Sequence, residues 1–364
     1  MAKNPTANPN GKAETLLFKI HPRVFKALGA DLVTNDVVAI IELVKNAYDA
    51  YATVVDIRFK QTGSKWMLEI EDNGSGMSRA TIEEAWLTVA TPYRMKHSVA
   101  KHKGRRDRQT SGEKGLGRLS SARLGTKLEM VTQTAGGERW TLQVDWESLS
   151  KSGSLEQCVA TIQKTVEPPF GTSGTRLRIW PLQTVWNEQA WDDLRDNLAR
   201  LLPPFDVPDD FAIRMTTPGL FEDTIEIKSP KVLKHPKYRV RGTVDGAGNV
   251  KYEYGFAAMQ GDSQRSSKGT VNWSQIRDDS EDATLLAMNE PGFGPFAFDI
   301  RGWDNASDDL LEIAERFDLK KVKVKHDIKT YKGISVYRDG VLVLPKSEGT
   351  RDWLHLDVRR IGKV

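Results

Sequence analysis

The stretch Ile70-Glu71-Asp72-Asn73-Gly74-Ser75-Gly76-Met77 ends an alternating apolar run with a carboxylate and follows it at once with two glycines. Alternation over Trp66 to Glu71 marks a β-strand, so Asp72 stands where a strand gives way to a turn. Taken alone, the segment also reads as an ordinary Asp-Asn-Gly turn.

Working outward, Val54 to Phe59 alternates as a partner strand, and Thr34 to Ala52 has helical periodicity. Glu42, Asn46 and Asp49 fall at i, i+4 and i+7 of that helix, so three polar groups share one face. Val38, Ile41, Val44, Ala47 and Tyr48 surround them with apolar bulk, and a carboxylate among such neighbours costs free energy unless something polar faces it. A solvated stripe on a surface helix is the other reading. A further helical stretch, Glu14 to Leu28, precedes it.

Downstream, Arg79 to Val89 reads as helix, and Ser98 to Gly117 as a mobile, basic, glycine-punctuated loop. The run Arg94, Lys96, Lys101, Lys103, Arg105, Arg106 and Arg108 carries one acid, Asp107, and is expected as a solvated loop. Gly112-Glu113-Lys114-Gly115-Leu116-Gly117 precedes a short helix ending at Leu124, where main-chain N–H groups form a nest for an anion. Strands follow at Lys127 to Thr134, Arg139 to Trp146, Val159 to Val166 and Thr175 to Trp180. Helices followed by a run of strands predict a two-layer α+β sandwich instead of alternating βαβ units.

After a helix at Trp186 to Leu202, Pro203, Pro204 and Pro208 mark a break, giving expected domains of residues 1–204 and 211–364. The second reads as mostly β, with a turn at Asp245 to Asn249, a hairpin at Ile334 to Leu344 and a single helix at Ser307 to Phe317. Lys320-Lys321-Val322-Lys323-Val324-Lys325 alternates as a strand whose lysines either favour DNA as a partner or protect a sheet edge.

Composition excludes several classes. Hydrophobic residues at 39%, with ten Trp and twelve Phe, exclude global disorder, and a net charge of +4 is too small to name a partner. Cys158 is the only cysteine and the six histidines never fall at ligand spacing, which excludes a disulfide framework and a cysteine-rich zinc site. Met1 to Glu14 is polar and the longest apolar run, Val37 to Val44, is too short to span a bilayer, so the expectation is a soluble cytoplasmic protein without a membrane partner.

In order and spacing, Glu42-x-x-x-Asn46-x-x-Asp49-Ala50, Asp72-x-Gly74-x-Gly76-Met77, Gly112-x-x-Gly115-x-Gly117 and Gly174-Thr175 closely resemble the ATP-binding boxes of the GHKL superfamily, named for gyrase B, the heat-shock chaperones, histidine kinases and MutL. The resemblance covers Thr34 to Trp180 and implies the Bergerat fold, in which helices and an antiparallel sheet sandwich ATP and Mg²⁺. It implies that Asp72 accepts from the adenine amine and so selects against guanine, which presents a carbonyl there. Gly74 and Gly76 admit the base, Met77 walls it, and Thr175 holds a bridging water. Asp49 completes the helix box, and Asn46 supplies a neutral oxygen to Mg²⁺. Gly112, Lys114, Gly115, Leu116 and Gly117 cradle the phosphates, and the basic loop closes over them or touches nucleic acid.

Glu42, one turn before Asn46, is the implied base that deprotonates the attacking water. The matching position in histidine kinases is usually not acidic, and His21 lacks their phosphoacceptor context, so an ATPase is favoured and phosphotransfer is the alternative. Gly333 to Gly340 with Asp352 to Arg360 resembles the transducer domain of bacterial relatives of the MORC group, with Arg338, Lys346, Arg359 and Arg360 as candidates for the γ-phosphate sensor. That likeness implies an ATP-dependent homodimer, a transducer shorter than in relatives, and either DNA or a client protein as partner.

Overall fold

Asn35 caps helix α1 (Asp36–Asp49): its Oδ1 accepts the Val38 N–H at 2.8 Å, an arrangement worth about 1 kcal/mol. Ala39, Ile40, Leu43, Val44, Ala47 and Tyr48 recur at helical spacing and are the residues α1 buries. The computed structural model describes residues 21–22, 24, 35–88, 99–100, 108–109, 119–154, 157–165, 171–205, 210–218, 221–257, 263–280 and 286–344. The expected helix at Glu14 to Leu28 lies almost wholly outside them. Contacts divide the chain into two units, Met1–Trp191 with Phe211–Ile225, and Asp192–Asp210 with Glu226–Val364.

In the first unit, β1 (Val54–Thr62) and β2 (Lys65–Asp72) form a hairpin, and β5 (Gly125–Gln133), β6 (Arg139–Asp145), β7 (Thr161–Lys164) and β8 (Gly174–Leu182) extend it. With β9 (Ala212–Thr217) and β10 (Phe221–Glu226) the sheet has eight strands in the order β10-β9-β1-β2-β8-β5-β6-β7. Two-residue strands β3 (Val99–Ala100) and β4 (Arg108–Gln109) pair separately. The implied sheet is antiparallel; the observed one is mixed, because β9 runs parallel to β1. The strand β9 lies beyond the proline-marked break, yet it returns to this sheet: Ala212 N–H donates to Thr53 O at 2.9 Å, and Ile213 and Met215 are buried.

Alternation gives the sheet two different faces. Val55, Ile57, Phe59, Leu68, Ile70, Ile179, Leu128, Met130, Leu142 and Val144 share the buried face. Helix α3 (Ser120–Leu124) packs on β5 and β8 and also touches α1. Trp186 and Trp191 close over Phe59, with ring centroids at 4.7 and 6.2 Å. The other face carries a ladder of ion pairs across five strands. Arg214 donates to Asp56 at 2.6 and 2.7 Å, Arg58 bridges Asp56 and Glu69, and Arg178 bridges Glu69 and Glu129. Against its burial, Lys60 at 3.1 Å, then Arg178 and Arg58, hold the Glu69 carboxyl below the usual range.

The second unit holds an antiparallel sheet of β11 (Tyr238–Val244), β12 (Val250–Phe256), β13 (Arg265–Val271) and β14 (Phe296–Gly302), in the order β13-β12-β11-β14. The expected turn is present: the Asp245 carboxylate accepts from Ala247 N and Asn249 N, both at 2.9 Å. So is the last hairpin, where Asp339 (φ 53°) and Gly340 (φ 91°) join β15 (Val336–Arg338) to β16 (Val341–Leu344). The single expected helix becomes α7 (Ser307–Arg316), with α6 (Trp273–Asp278) before it and α8 (Lys321–Thr330) after it. The lysine-rich segment is therefore helix and not an edge strand. Val322 is 81% exposed while Val324 is fully buried, and Val324 with Ile328, one turn on, packs against Leu310, Ile313 and Ala314. Three alternating residue pairs could not reveal that the pattern continues with period four into Ile328.

Candidate functional site

Helix α1 ends one residue past Asp49 in a Schellman arrangement: Tyr51 N–H donates to Tyr48 O at 3.0 Å and Ala52 N–H to Ala47 O at 3.1 Å. Its left-handed residue, usually glycine, is Tyr51 at φ 59°. Arg108 secures it. Its guanidinium lies 3.9 Å from the Tyr48 ring centroid and 5.0 Å from that of Tyr51, Nη1 donates to Tyr48 O at 2.9 Å, and its main-chain N–H donates to Tyr51 Oη at 3.0 Å. Arg108 is thus buried at a helix C-terminus, where a cation is favoured, and the expectation of a solvated lid residue is corrected.

This helix end docks the turn after β2. Ser75 N–H donates to Ala50 O at 2.8 Å, and a Cβ on Gly74 would meet Ala50 O at 2.7 Å and the Asp72 carboxylate at 2.9 Å. Gly76 has φ 64°, and a Cβ there would fall 1.9 Å from Gln133 O, so space requires both glycines and the backbone also requires Gly76. Asn73 ties the other side: its Oδ1 accepts from Thr53 N at 2.8 Å and Val54 N at 3.1 Å. An ordinary hairpin turn needs none of these contacts.

Strand register then aligns four residues in one row on the otherwise apolar face: Asp72 on β2, Thr175 on β8, Thr132 on β5 and Trp140 on β6. Fully buried Thr132 accepts the Met77 N–H at 2.9 Å, donates to Gly174 O at 3.1 Å and lies 3.0 Å from Thr175 Oγ1. The Asp72 residue keeps some surface, but its carboxyl is enclosed by protein. Burial pushes its pKa up to about 7, against the N–H groups of Gly74 and Thr175, which favour the anion. A buried acid beside two hydroxyls, at the end of an apolar face, is suited to a planar ligand that offers an N–H.

Glu42, Asn46 and Asp49 lie on a half-buried strip of α1 beside its buried residues, not on an exposed stripe. The Glu42 carboxylate receives Lys45 Nζ at 3.1 Å. The docked turn places Asp72, Gly74, Gly76 and Met77 beside the end of this helix, with Thr175 opposite Asp72. His21 is exposed. Gly112, Lys114, Gly115, Leu116 and Gly117, together with Lys346, Arg359 and Arg360, lie outside the described residues, and Arg338 is in β15 of the second unit.

Residues 34–171 match the family model described as histidine kinase-, DNA gyrase B-, and HSP90-like ATPase. This segment is a GHKL-type ATPase domain. The match begins just before α1 and takes in the helix strip, the Asp72 turn and Thr132, and β8 with Thr175 follows directly after it. No curated protein matches the chain. The GHKL domain uses Ala50, Asn73, Thr132 and Arg108 in ways that sequence reasoning missed. Of these, only Thr132 carried a usable signal, as a polar residue at an inward position of an apolar strand.

No helix among the described residues is long and apolar enough to cross a membrane. Nor do three His, Cys, Asp or Glu side chains among the described residues form a ready-made metal cage.

Proposed function

We propose that the protein binds ATP with Mg²⁺, hydrolyses it slowly, and uses the bound nucleotide to switch conformation. The observation that carries this reading is the row Asp72–Thr175–Thr132 set against the end of α1. Asp72, once ionised, accepts from the adenine amine, and Thr175, oriented by Thr132, holds a water at the ring. Gly74 and Gly76 bring the main chain close to the base, and Met77 presents its side chain as an apolar wall.

The donor set suits a hard cation held by one side chain. Asn46 offers a neutral oxygen, and phosphate and water complete the shell, so no preformed cage of acids is needed. Magnesium, when bound, neutralises the phosphate oxygens. Glu42, which receives Lys45 Nζ at 3.1 Å, orients a water and takes its proton. The switch reading extends the domain assignment with the glycine-rich segment 112–117, the basic run before it, and the MORC-like transducer signature of the second unit. ATP-dependent self-association follows if that signature operates as in its relatives.

Turnover and calorimetric binding of ATP and GTP, with and without Mg²⁺, test the proposal. Selective, Mg²⁺-dependent ATP turnover is expected. Binding of ATP with normal turnover in Glu42→Ala would shift the reading to phosphotransfer.

A further inference from the structure

We infer that the second unit carries a separate binding cavity for a nucleotide unit, a phosphate flanked by a planar base, supplied either free or within a single strand. Every residue that lines it lies outside the GHKL domain, so the inference does not rest on the ATPase reading.

The cavity, of about 400 Å³, lies on the charged face of the β11–β12–β13 sheet and is walled by the turn at Lys234 and His235 and by the end of α7. Its volume falls within the range of small-molecule sites. Gly255 forms the floor: a Cβ there would meet nothing within 4 Å, and its register neighbours are Arg239 and Ser266. The glycine leaves space where any other residue would fill it.

Six lysines and arginines line this space against one carboxylate, Glu253. Half of them are already engaged by carboxylates. Glu253 receives Arg241 at 2.9 Å and Lys268 at 3.4 Å, Asp299 braces Arg239, and Asp304 and Asp309 hold Lys237 at 2.7 and 3.2 Å. Arg265 lies over the Phe256 ring, 4.5 Å from its centroid, on the other face of the sheet, whereas Lys234 and Arg316 come from two different elements and neither has a carboxylate partner among the described residues. Each is exposed at the rim. Two neighbouring cations with no carboxylate partner among the described residues suit a phosphate, and the Arg316 guanidinium offers it paired N–H donors.

The second half of the ligand follows from the rings. His235 stacks on Phe317 with centroids 4.0 Å apart and planes 21° apart, and His235 is itself exposed. Partial desolvation, then Arg316, Lys234 and Arg301, hold the imidazole below its ordinary range, so the flat ring adds no charge at neutral pH. A braced planar surface beside a phosphate-binding arc is the combination that receives a stacked base, whereas a phosphopeptide would use the charges alone.

The test titrates the full chain, in the Asp72→Asn background, with fluorescein-labelled oligothymidylate of roughly 10 nucleotides and with thymidine monophosphate as competitor. Saturable binding that weakens with salt is expected, and Lys234→Glu and Arg316→Glu should each weaken it roughly tenfold. Lys234→Gln and Arg316→Gln, milder changes at exposed sites, should weaken it less but in the same order. Displacement by the monophosphate identifies a free-nucleotide site, and its failure to displace the oligomer identifies a strand site. Absence of saturable binding, or equal binding by the charge-reversed variants with unchanged melting, overturns the inference. Equal competition by inorganic pyrophosphate or a phosphopeptide overturns its base-stacking part.

Discussion

Asp72 and Thr175 stand opposite each other on antiparallel strands β2 and β8, and Thr132 on β5 continues the row with its hydroxyl 3.0 Å from that of Thr175. The row is polar, yet it occupies the face that elsewhere carries Ile57, Ile70, Ile179 and Met130. An isolated acid on such a face costs free energy, and the raised pKa of Asp72 expresses that cost in the ligand-free state.

Adenine recognition by this carboxyl is therefore coupled to a proton. With a pKa of about 7, free Asp72 is part-protonated at neutral pH, while an adenine amine needs the anion. ATP affinity should rise from pH 6 to pH 8, and binding near pH 7 should release a fraction of a proton. Titrations in buffers of different ionisation enthalpy measure that release; a heat independent of buffer would refute the coupling.

The same shift fixes the pH dependence of stability. Asp72 holds its proton more tightly in the folded chain than in the unfolded chain, where its ordinary value is 3.8. Its favourable contribution is complete below about pH 3.8 and is lost as pH rises through about 7. Asp72→Asn lacks this loss, so its melting temperature should gain on the wild type between pH 5 and pH 8. A constant difference across that interval would contradict the burial argument.

Thr132→Val keeps the shape of the side chain but leaves the Met77 N–H without its 2.9 Å acceptor. A loss of about 1–3 kcal/mol in stability is expected. ATP affinity should also fall, because Thr175 loses its orienting partner. Denaturant unfolding and calorimetry separate the two effects, and unchanged values in both would remove Thr132 from the site.

Gly76→Ala should destabilise by more than ~1 kcal/mol, since its φ of 64° and the Gln133 carbonyl leave a methyl group no room. Chemical denaturation checks it; a variant as stable as the wild type would mean that the turn relaxes freely.

Glu42→Ala removes the proposed base and leaves Asn46 and the Asp72 row intact. Binding should persist while turnover drops ~10²–10⁴-fold. Single-turnover hydrolysis measures this, and a normal rate would exclude Glu42 as the base.

Much of the first unit was legible in the sequence because its elements are regular. The α1 stripe, the β1–β2 hairpin and strands β5 to β8 follow from period 3.6 and period 2 within a few residues. The parallel strand β9 was not, because only its pairing with β1 reveals it, and pairing is non-local. Arg108 was misread for a related reason: its charge is visible in sequence, but the rings of Tyr48 and Tyr51 that cover it lie 60 and 57 residues away. The helix α8 was missed because Lys-Val alternation matches a strand until Ile328 supplies the next helical contact. The acid and glycines of the site were legible as types in order, whereas Thr132 acquires its role only through strand register.

Calorimetric titration of Mg²⁺-ATP into the wild-type chain and into Asp72→Asn tests the central claim most directly. The adenine site requires saturable binding by the wild type and none detectable by the variant, with the variant's circular dichroism unchanged. Wild-type affinity in a folded Asp72→Asn protein would show that Asp72 does not read the base.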